Sequence, residues 1–379
     1  MYPRLQHFTG SESESLFLWG ARQTGKSTLL KGAFSNAQVY DLLLSEVYDR
    51  LLRNPEIIRQ NCLAQPHVKL VIIDEIQRLP QLLNEIHWLL VNTNVRFILT
   101  GSSLRKIVRT ETNLLGGRAL TYYLLPLTSR EIPDFDLIRA LNHGLLPRHY
   151  ISASPAKLHA AYVGNYLRDE IIQEARIRNI NAFNDFLRSA SFSNGEMVNY
   201  SSIAAECGVS SNTVKEYFHL LEETLLGNFV PAFQKKAKRR IIHAPKFYFF
   251  DLCIVNHLMG RKNIRSGTEQ FGEAFEHFIF MEIRAHCLYN GSDYPINYWR
   301  TTSGFEVDFI LNNEIAIEVK SSDKINDRHL KGLKAFHEEF NPKHSILVCN
   351  EPLPRQIGAI LVLPWQLFLD RLWGGDFIE

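Results

Sequence analysis

The stretch Gly20-Ala21-Arg22-Gln23-Thr24-Gly25-Lys26-Ser27, followed by Thr28, fits the pattern G-x-x-x-x-G-K-[ST] without a mismatch. Glycines at these positions let backbone N–H groups curl around phosphate oxygens, Lys26 reaches the terminal phosphates, and the Ser27 hydroxyl can bind Mg²⁺. An acidic pair completes such a site. Asp74-Glu75 ends the apolar run Leu70–Ile73, 48 residues after Lys26. Asp74 is expected to hold Mg²⁺ through its water shell and Glu75 to polarise the attacking water, which is the chemistry of nucleoside triphosphate hydrolysis rather than of binding alone. A further apolar run ends in Thr100-Gly101-Ser102. Thr100 or Ser102 could present a polar sensor beside the terminal phosphate, or either could cap a helix. Arg118 follows Gly116-Gly117 on a loop, where it could serve as an arginine finger toward a neighbouring subunit or simply sit in solvent or against a lid.

A second constellation lies in the C-terminal third. Phe305–Leu311 and Glu314–Lys320 read as two strands around Asn312-Asn313, with apolar side chains at odd positions on both. For those side chains to share one face, the loop must have an odd length such as Asn312–Glu314, which sets Asp308 opposite Glu318 with Lys320 beside them. Glu276 on the preceding helix is the candidate third carboxylate, with Glu273 second. Two carboxylates and a lysine on one strand face can bind Mg²⁺ or Mn²⁺ and position a water for attack on a phosphodiester. The same face could instead serve DNA or protein contact without catalysis.

A third set is basic. Tyr200–Leu226 reads as helix, turn, helix, with Gly208-Val209-Ser210 as the turn and Ser211-Asn212 as the cap of the second helix. Ser211, Asn212, Thr213 and Lys215 would then face a DNA groove. Lys235, Lys236, Lys238, Arg239 and Arg240 put five cations in six residues and could clamp phosphates as a wing. Glu216, Glu222 and Glu223 on the same second helix speak for a packing or protein-contact role.

These residues need a frame. Up to about residue 126, short β-rich runs alternate with helical ones, the pattern of an α/β layer with a largely parallel sheet. Residues 127–190 are mainly helical and read as a lid or connector. Residues 191–262 hold the helix-turn-helix and basic strip, placed here as a winged helix, and 263–379 read as a second α/β domain: a long helix, a hairpin (Tyr298–Ser321), a helix, the strand Ser345–Cys349 and a C-terminal helix near Trp365–Trp373. The length of 379 residues suits such a multi-domain chain. Lys and Arg number 42 against 40 Asp and Glu, which excludes a uniformly basic nucleic-acid coat protein and leaves local patches. Five scattered cysteines without a C-x-x-C pair argue against disulfides and a zinc ribbon. The lack of a signal-like leader or long apolar stretch points to a cytoplasmic protein with no membrane partner.

Taken together, GARQTGKST, LVIIDEIQRLP, TGSS, LLGGRALTYYLLPLTSREI, YLRDEIIQEA, VSSNTVKEYFHLLEETLL, PKFYFFD, GEAFE and FEVDFIL with AIEVKSS resemble a bacterial and archaeal group of AAA-type P-loop ATPases. Members carry a C-terminal domain of uncharacterised function with a restriction-endonuclease-like fold. The resemblance covers essentially the whole chain and implies ATP and Mg²⁺ as cofactors, a winged-helix middle and a homo-oligomer, with a hexamer as one form. It departs at Leu252-Cys253, where relatives tend to have Pro-Gly and a turn is expected. The expected fold is thus α/β: a P-loop NTPase sheet, a helical lid, a winged helix and a restriction-endonuclease-like domain. The expected function is an ATP-driven motor that binds and remodels or translocates DNA, with branched DNA as one substrate. The alternatives are an ATP-gated switch or scaffold for a protein partner and an ATP-regulated, metal-dependent nuclease.

Overall fold

The computed structural model describes residues 2–105, 115, 117–167, 171, 177–235, 239–292 and 294–378. The chain forms two compact units, Met1–Leu127 with Leu220–Leu226, and Thr128–His219 with Gly227–Glu379.

The first unit is built on five strands: β1 (Ser15–Trp19), β2 (Gln38–Asp41), β3 (Leu70–Asp74), β4 (Arg96–Gly101) and β5 (Ala119–Tyr123). Their order is β2-β3-β4-β1-β5 and every neighbouring pair is parallel. Parallel strands need crossovers over the sheet, so both faces are covered, and the apolar runs split between them with a period of two. Leu16, Leu18, Ile72 and Ile98 pack on one face with Leu30 and Leu124. Trp19, Val71, Ile73, Phe97 and Leu99 pack on the other with Leu51, Leu82 and Ile86. Because β1, β3 and β4 lie side by side and point the same way, the loops that leave their C-terminal ends meet at one edge.

In the second unit, the helix Tyr200–Cys207 and the Ser211–Glu223 helix as far as His219 precede an antiparallel pair, β6 (Gly227–Val230) with β7 (Lys246–Phe249). Gly208 supplies the bend between the helices at φ 65°. The cap differs from expectation: Ser210, not Ser211 or Asn212, accepts the Thr213 N–H at 3.1 Å, because the helix already starts at Ser211. A mixed six-stranded sheet follows in the order β12-β13-β11-β10-β9-β8, from β8 (Ile296–Arg300), β9 (Glu306–Leu311), β10 (Ile315–Val319), β11 (His344–Cys349), β12 (Arg355–Ile357) and β13 (Ile360–Pro364). The β9–β10 register pairs Ile315 with Leu311 and Ile317 with Phe309, the odd-length loop selected by the hydrophobic pattern. Asn312 and Asn313 turn it with φ 46° and 61°, in the region that asparagine tolerates.

Two local expectations change. Leu252 and Cys253 open a helix, Leu252–Leu258, instead of forming a turn, since the Asp251 carboxylate accepts the Cys253 N–H at 2.7 Å and caps it. The short strands β12 and β13 are additional to the sequence reading. All five cysteines are free and buried. Among the described residues, no helix is long and apolar enough to cross a membrane.

A candidate nucleotide site and its acidic partners

The loop after β1 begins at Gly20, where any Cβ would lie 2.4 Å from the Leu124 carbonyl oxygen, so only glycine lets the chain leave the sheet here. Gln23 and Gly25 take φ 65° and 99°, and Gly25 is the residue immediately before the Lys26–Ala33 helix. Ala21 is buried, Arg22 half-buried, and Thr24 fully buried with its hydroxyl donating to the Ala21 carbonyl at 2.9 Å. The loop is thereby closed on itself at the N-terminus of a helix, whose dipole and free N–H groups favour an anion. The Lys26 ammonium folds back on the loop, donating to Gly20 O at 2.8 Å and Ala21 O at 3.4 Å.

The acidic pair sits beside it. The Ser27 hydroxyl donates to Asp74 Oδ2 at 2.7 Å, and Thr100 donates to Asp74 Oδ1. Thr100 also accepts the Glu75 N–H at 3.1 Å, so one buried hydroxyl from β4 orients both acidic residues at the end of β3. Glu75 lies at φ 62°, a left-handed conformation that turns its side chain back toward the loop, and its Oε1 is 3.9 Å from Lys26 Nζ. The other Glu75 oxygen accepts from Ser102 at 3.0 Å and from the Gln77 amide, which also donates to Ser102 at 2.9 Å. Asp74, Glu75 and Gln77 are all buried, while Ser27 and Thr28 are exposed at the start of the helix. A hydroxyl and a carboxylate 2.7 Å apart are hard oxygen donors that suit Mg²⁺, and the closed loop suits a polyphosphate.

Gly20 to Thr28, Asp74, Glu75, Thr100 and Ser102 thus converge, and Arg118 does not. It is exposed just before β5, level with the start of β1 through the Ser15–Ala119 pairing. The loop that begins at Gly20 leaves the opposite end of β1, about 17 Å away at roughly 3.3 Å per residue. Gly116 lies outside the described residues. Two residues escaped the sequence reading. Gln77 fixes Glu75, and the Arg4 guanidinium bridges Thr24 O at 2.6 Å and Leu125 O at 2.7 Å, tying the phosphate loop to the chain after β5. The pattern IIDEIQ could have flagged Gln77; nothing local marks Arg4.

The second unit gathers Glu276, Asp308, Glu318 and Lys320, with Asp308 and Glu318 facing across β9 and β10. Lys320 is 2.6 Å from Glu318 and 3.9 Å from Asp308. Sequence reading missed Lys246, which lies 2.9 Å from Glu306, 3.5 Å from Glu276 and 3.8 Å from Asp308. Burial pushes Glu276 up to about 7, with Lys246 opposing the rise, and burial plus Asp308 push Glu318 up to about 8. Glu273 points elsewhere and pairs with Arg261. These carboxylates are engaged by protein cations and do not fit a divalent metal; among the described residues, no three metal-ligating side chains are grouped to hold one.

Of the basic set, Asn212 and Lys215 are exposed, Ser211 and Thr213 half-buried, and Lys235 and Arg240 exposed. Lys236 and Lys238 lie outside the described residues. Arg239 is committed within the unit: it pairs with Glu339 at 2.8 Å and Glu338 at 3.4 Å and donates to Ala335 O.

Three family models match successive parts of the chain. Residues 134–265 match the Domain of unknown function (DUF8612) and 271–368 the Domain of unknown function (DUF4143). No curated protein matches. Among solved structures, domain III from the Thermotoga maritima replication initiation protein DnaA is similar at 14% identity, covering 57% of this chain and 86% of that one with a TM-score of 0.24. Residues 12–133 match the AAA domain, which together with the parallel sheet supports an AAA-type P-loop ATPase assignment for this segment.

Proposed function

We propose that this chain is an ATP-hydrolysing AAA-type motor that binds DNA and remodels or translocates it as a homo-oligomer. The observation that carries the ATPase reading is the chain of contacts from Ser27 through Asp74 to Thr100, with Glu75 held beside Lys26. Loop N–H groups and Lys26 would bind the phosphates, and Ser27 with Asp74 would hold Mg²⁺, which when bound neutralises charge on the β- and γ-phosphates. Glu75, aimed by Gln77 and Ser102, would orient a water in line with the terminal phosphate. Arg118 lies at the far end of the sheet from its own loop, so a catalytic role for it would be toward a neighbouring subunit in an oligomer such as a hexamer.

DNA contact is supported by the exposed Asn212 and Lys215 at the start of the helix after the Gly208 bend, and by exposed Lys235 and Arg240 beyond β6. In this reading, 191–262 act as a winged helix and 127–190 as a lid, while 263–379, of restriction-endonuclease-like type, add a DNA- or protein-contact surface. A second reading, an ATP-gated switch for a protein partner, is favoured by one observation: Arg239 is spent on Glu338 and Glu339. Fluorescence anisotropy on labelled duplex separates the two. The motor reading expects salt-sensitive binding that weakens when Lys215, Lys235 and Arg240 are changed to Ala; binding that ignores those changes favours the switch.

A further inference from the structure

We propose that Lys246 is the resident cation of the acidic centre in the second unit: its ammonium group takes the place among Glu276, Glu306 and Asp308 that a divalent metal would occupy, so the centre neither binds metal nor cleaves phosphodiesters. This inference does not depend on the ATPase reading.

Lys246 projects from β7, and its side chain is only 3% exposed. Glu306 lies 2.9 Å from its nitrogen, Glu276 3.5 Å and Asp308 3.8 Å, and the Tyr298 ring centroid is 5.6 Å away. An ammonium has three protons to donate, and three carboxylates surround this one. The carboxylates are otherwise spoken for. Glu276 Oε1 accepts the Tyr248 hydroxyl at 2.6 Å, Asp308 Oδ2 accepts the Val319 N–H at 2.8 Å, and Arg300 pairs with Glu306 at 3.1 Å. Lys320 closes the other side at 2.6 Å from Glu318.

Charge gives the same answer. Glu276, Glu306, Asp308 and Glu318 face Lys246, Lys320 and Arg300, and with Glu276 pushed up to about 7 and Glu318 to about 8 the mostly buried cluster carries at most one net negative charge. A divalent ion would overshoot that charge and lie against the buried Lys246 ammonium, a repulsion the low-dielectric surroundings do not screen. Glu318 Oε2 remains buried without a partner, but one oxygen falls short of the six or more that Mg²⁺ or Ca²⁺ collects from protein and water. Burial works against the charge on Lys246, yet Glu276, Tyr248, Asp308 and Glu306 outweigh it and hold its pKa well above the ordinary lysine value. The lysine therefore does the charge-neutralising work of a metal and ties β7 to β9 and to the Glu269–Tyr289 helix.

The test is Mn²⁺ titration of the full-length protein, with free Mn²⁺ followed by electron paramagnetic resonance. Wild type and Asp308→Asn should bind the same number of ions, and Lys246→Ala should gain one ion per chain and a melting temperature that rises with Mn²⁺. Loss of one bound ion in Asp308→Asn relative to wild type, or DNA cleavage in Mn²⁺ that Asp308→Asn abolishes, overturns the proposal. So does a folded Lys246→Ala protein that gains no site. If Asp308→Asn does not fold, Glu276→Gln serves in the same comparison with the same two outcomes.

Discussion

Replacing Thr100 by Val keeps the shape of the side chain and deletes a hydroxyl that does two things. It donates to Asp74 Oδ1 and accepts the Glu75 N–H, and Thr100 is wholly buried, so water cannot substitute. A hydrogen bond to a charged group is worth about 1.5–3 kcal/mol, and a buried N–H left unpaired costs about 1–3 kcal/mol. Part of that loss appears as global destabilisation. The rest frees Asp74 and Glu75 to leave the geometry that, in the proposed site, would aim them at metal and water. If about 2 kcal/mol of positioning is lost from the transition state, kcat falls roughly 30-fold. KM for ATP should move little, because the loop and Lys26 keep their contacts. Thr100→Ser, which retains the hydroxyl, should recover most of the rate. The assay is steady-state phosphate release across ATP and Mg²⁺ concentrations for wild type and both variants. A Val variant with wild-type kcat, or a Ser variant as slow as Val, would refute the positioning role.

Other substitutions probe separate contacts. Gly20→Ala should abolish ATP binding measured by calorimetry, because its Cβ meets the Leu124 backbone at 2.4 Å and cannot be relieved by a rotamer change. Arg4→Ala should raise KM for ATP about 5- to 30-fold, the equivalent of about 1–2 kcal/mol of charge-assisted bonding. Arg4→Lys should not restore it, since a single ammonium does not span the Thr24 and Leu125 carbonyls as a guanidinium fork does. Arg239→Ala should lower the melting temperature, by leaving the buried Glu339 carboxylate without its 2.8 Å partner, while DNA affinity stays unchanged. Stability should also fall in acid: burial, then His159 and Arg148, lower His149 from 6.5 to about 4, so the folded state resists protonation that the unfolded state accepts. The His149 contribution is present above pH 6.5 and is lost as pH drops from there toward 4, visible as a falling urea midpoint that His149→Phe flattens.

The phosphate loop, the acidic pair and the β9–β10 register were legible because each rests on a local rule: glycine geometry, an apolar run ending in carboxylates, and a period of two. The odd-position pattern alone set Asp308 across from Glu318. What stayed hidden depends on chain segments meeting from far apart. Arg4 reaches a carbonyl 121 positions away, and Lys246 meets Glu306 from another strand, with no spacing to announce either. The strip Lys235–Arg240 reads as uniform in one dimension, yet Arg239 turns inward to Glu338 and Glu339 while Lys235 faces solvent. Strand β13 was missed because Ile360–Pro364 is a five-residue apolar run that abuts the Trp365–Trp373 helix, and periodicity cannot separate so short a strand from a helix start.

The most direct measurement of the central claim is ATP turnover by the full-length protein in the absence of DNA and with single-stranded, duplex and four-way-junction DNA, alongside Lys26→Ala. A DNA-coupled motor should hydrolyse ATP, faster with at least one of these DNAs, and lose that turnover in Lys26→Ala. Equal rates with and without every DNA would contradict coupling, and undiminished turnover in Lys26→Ala would contradict the site itself.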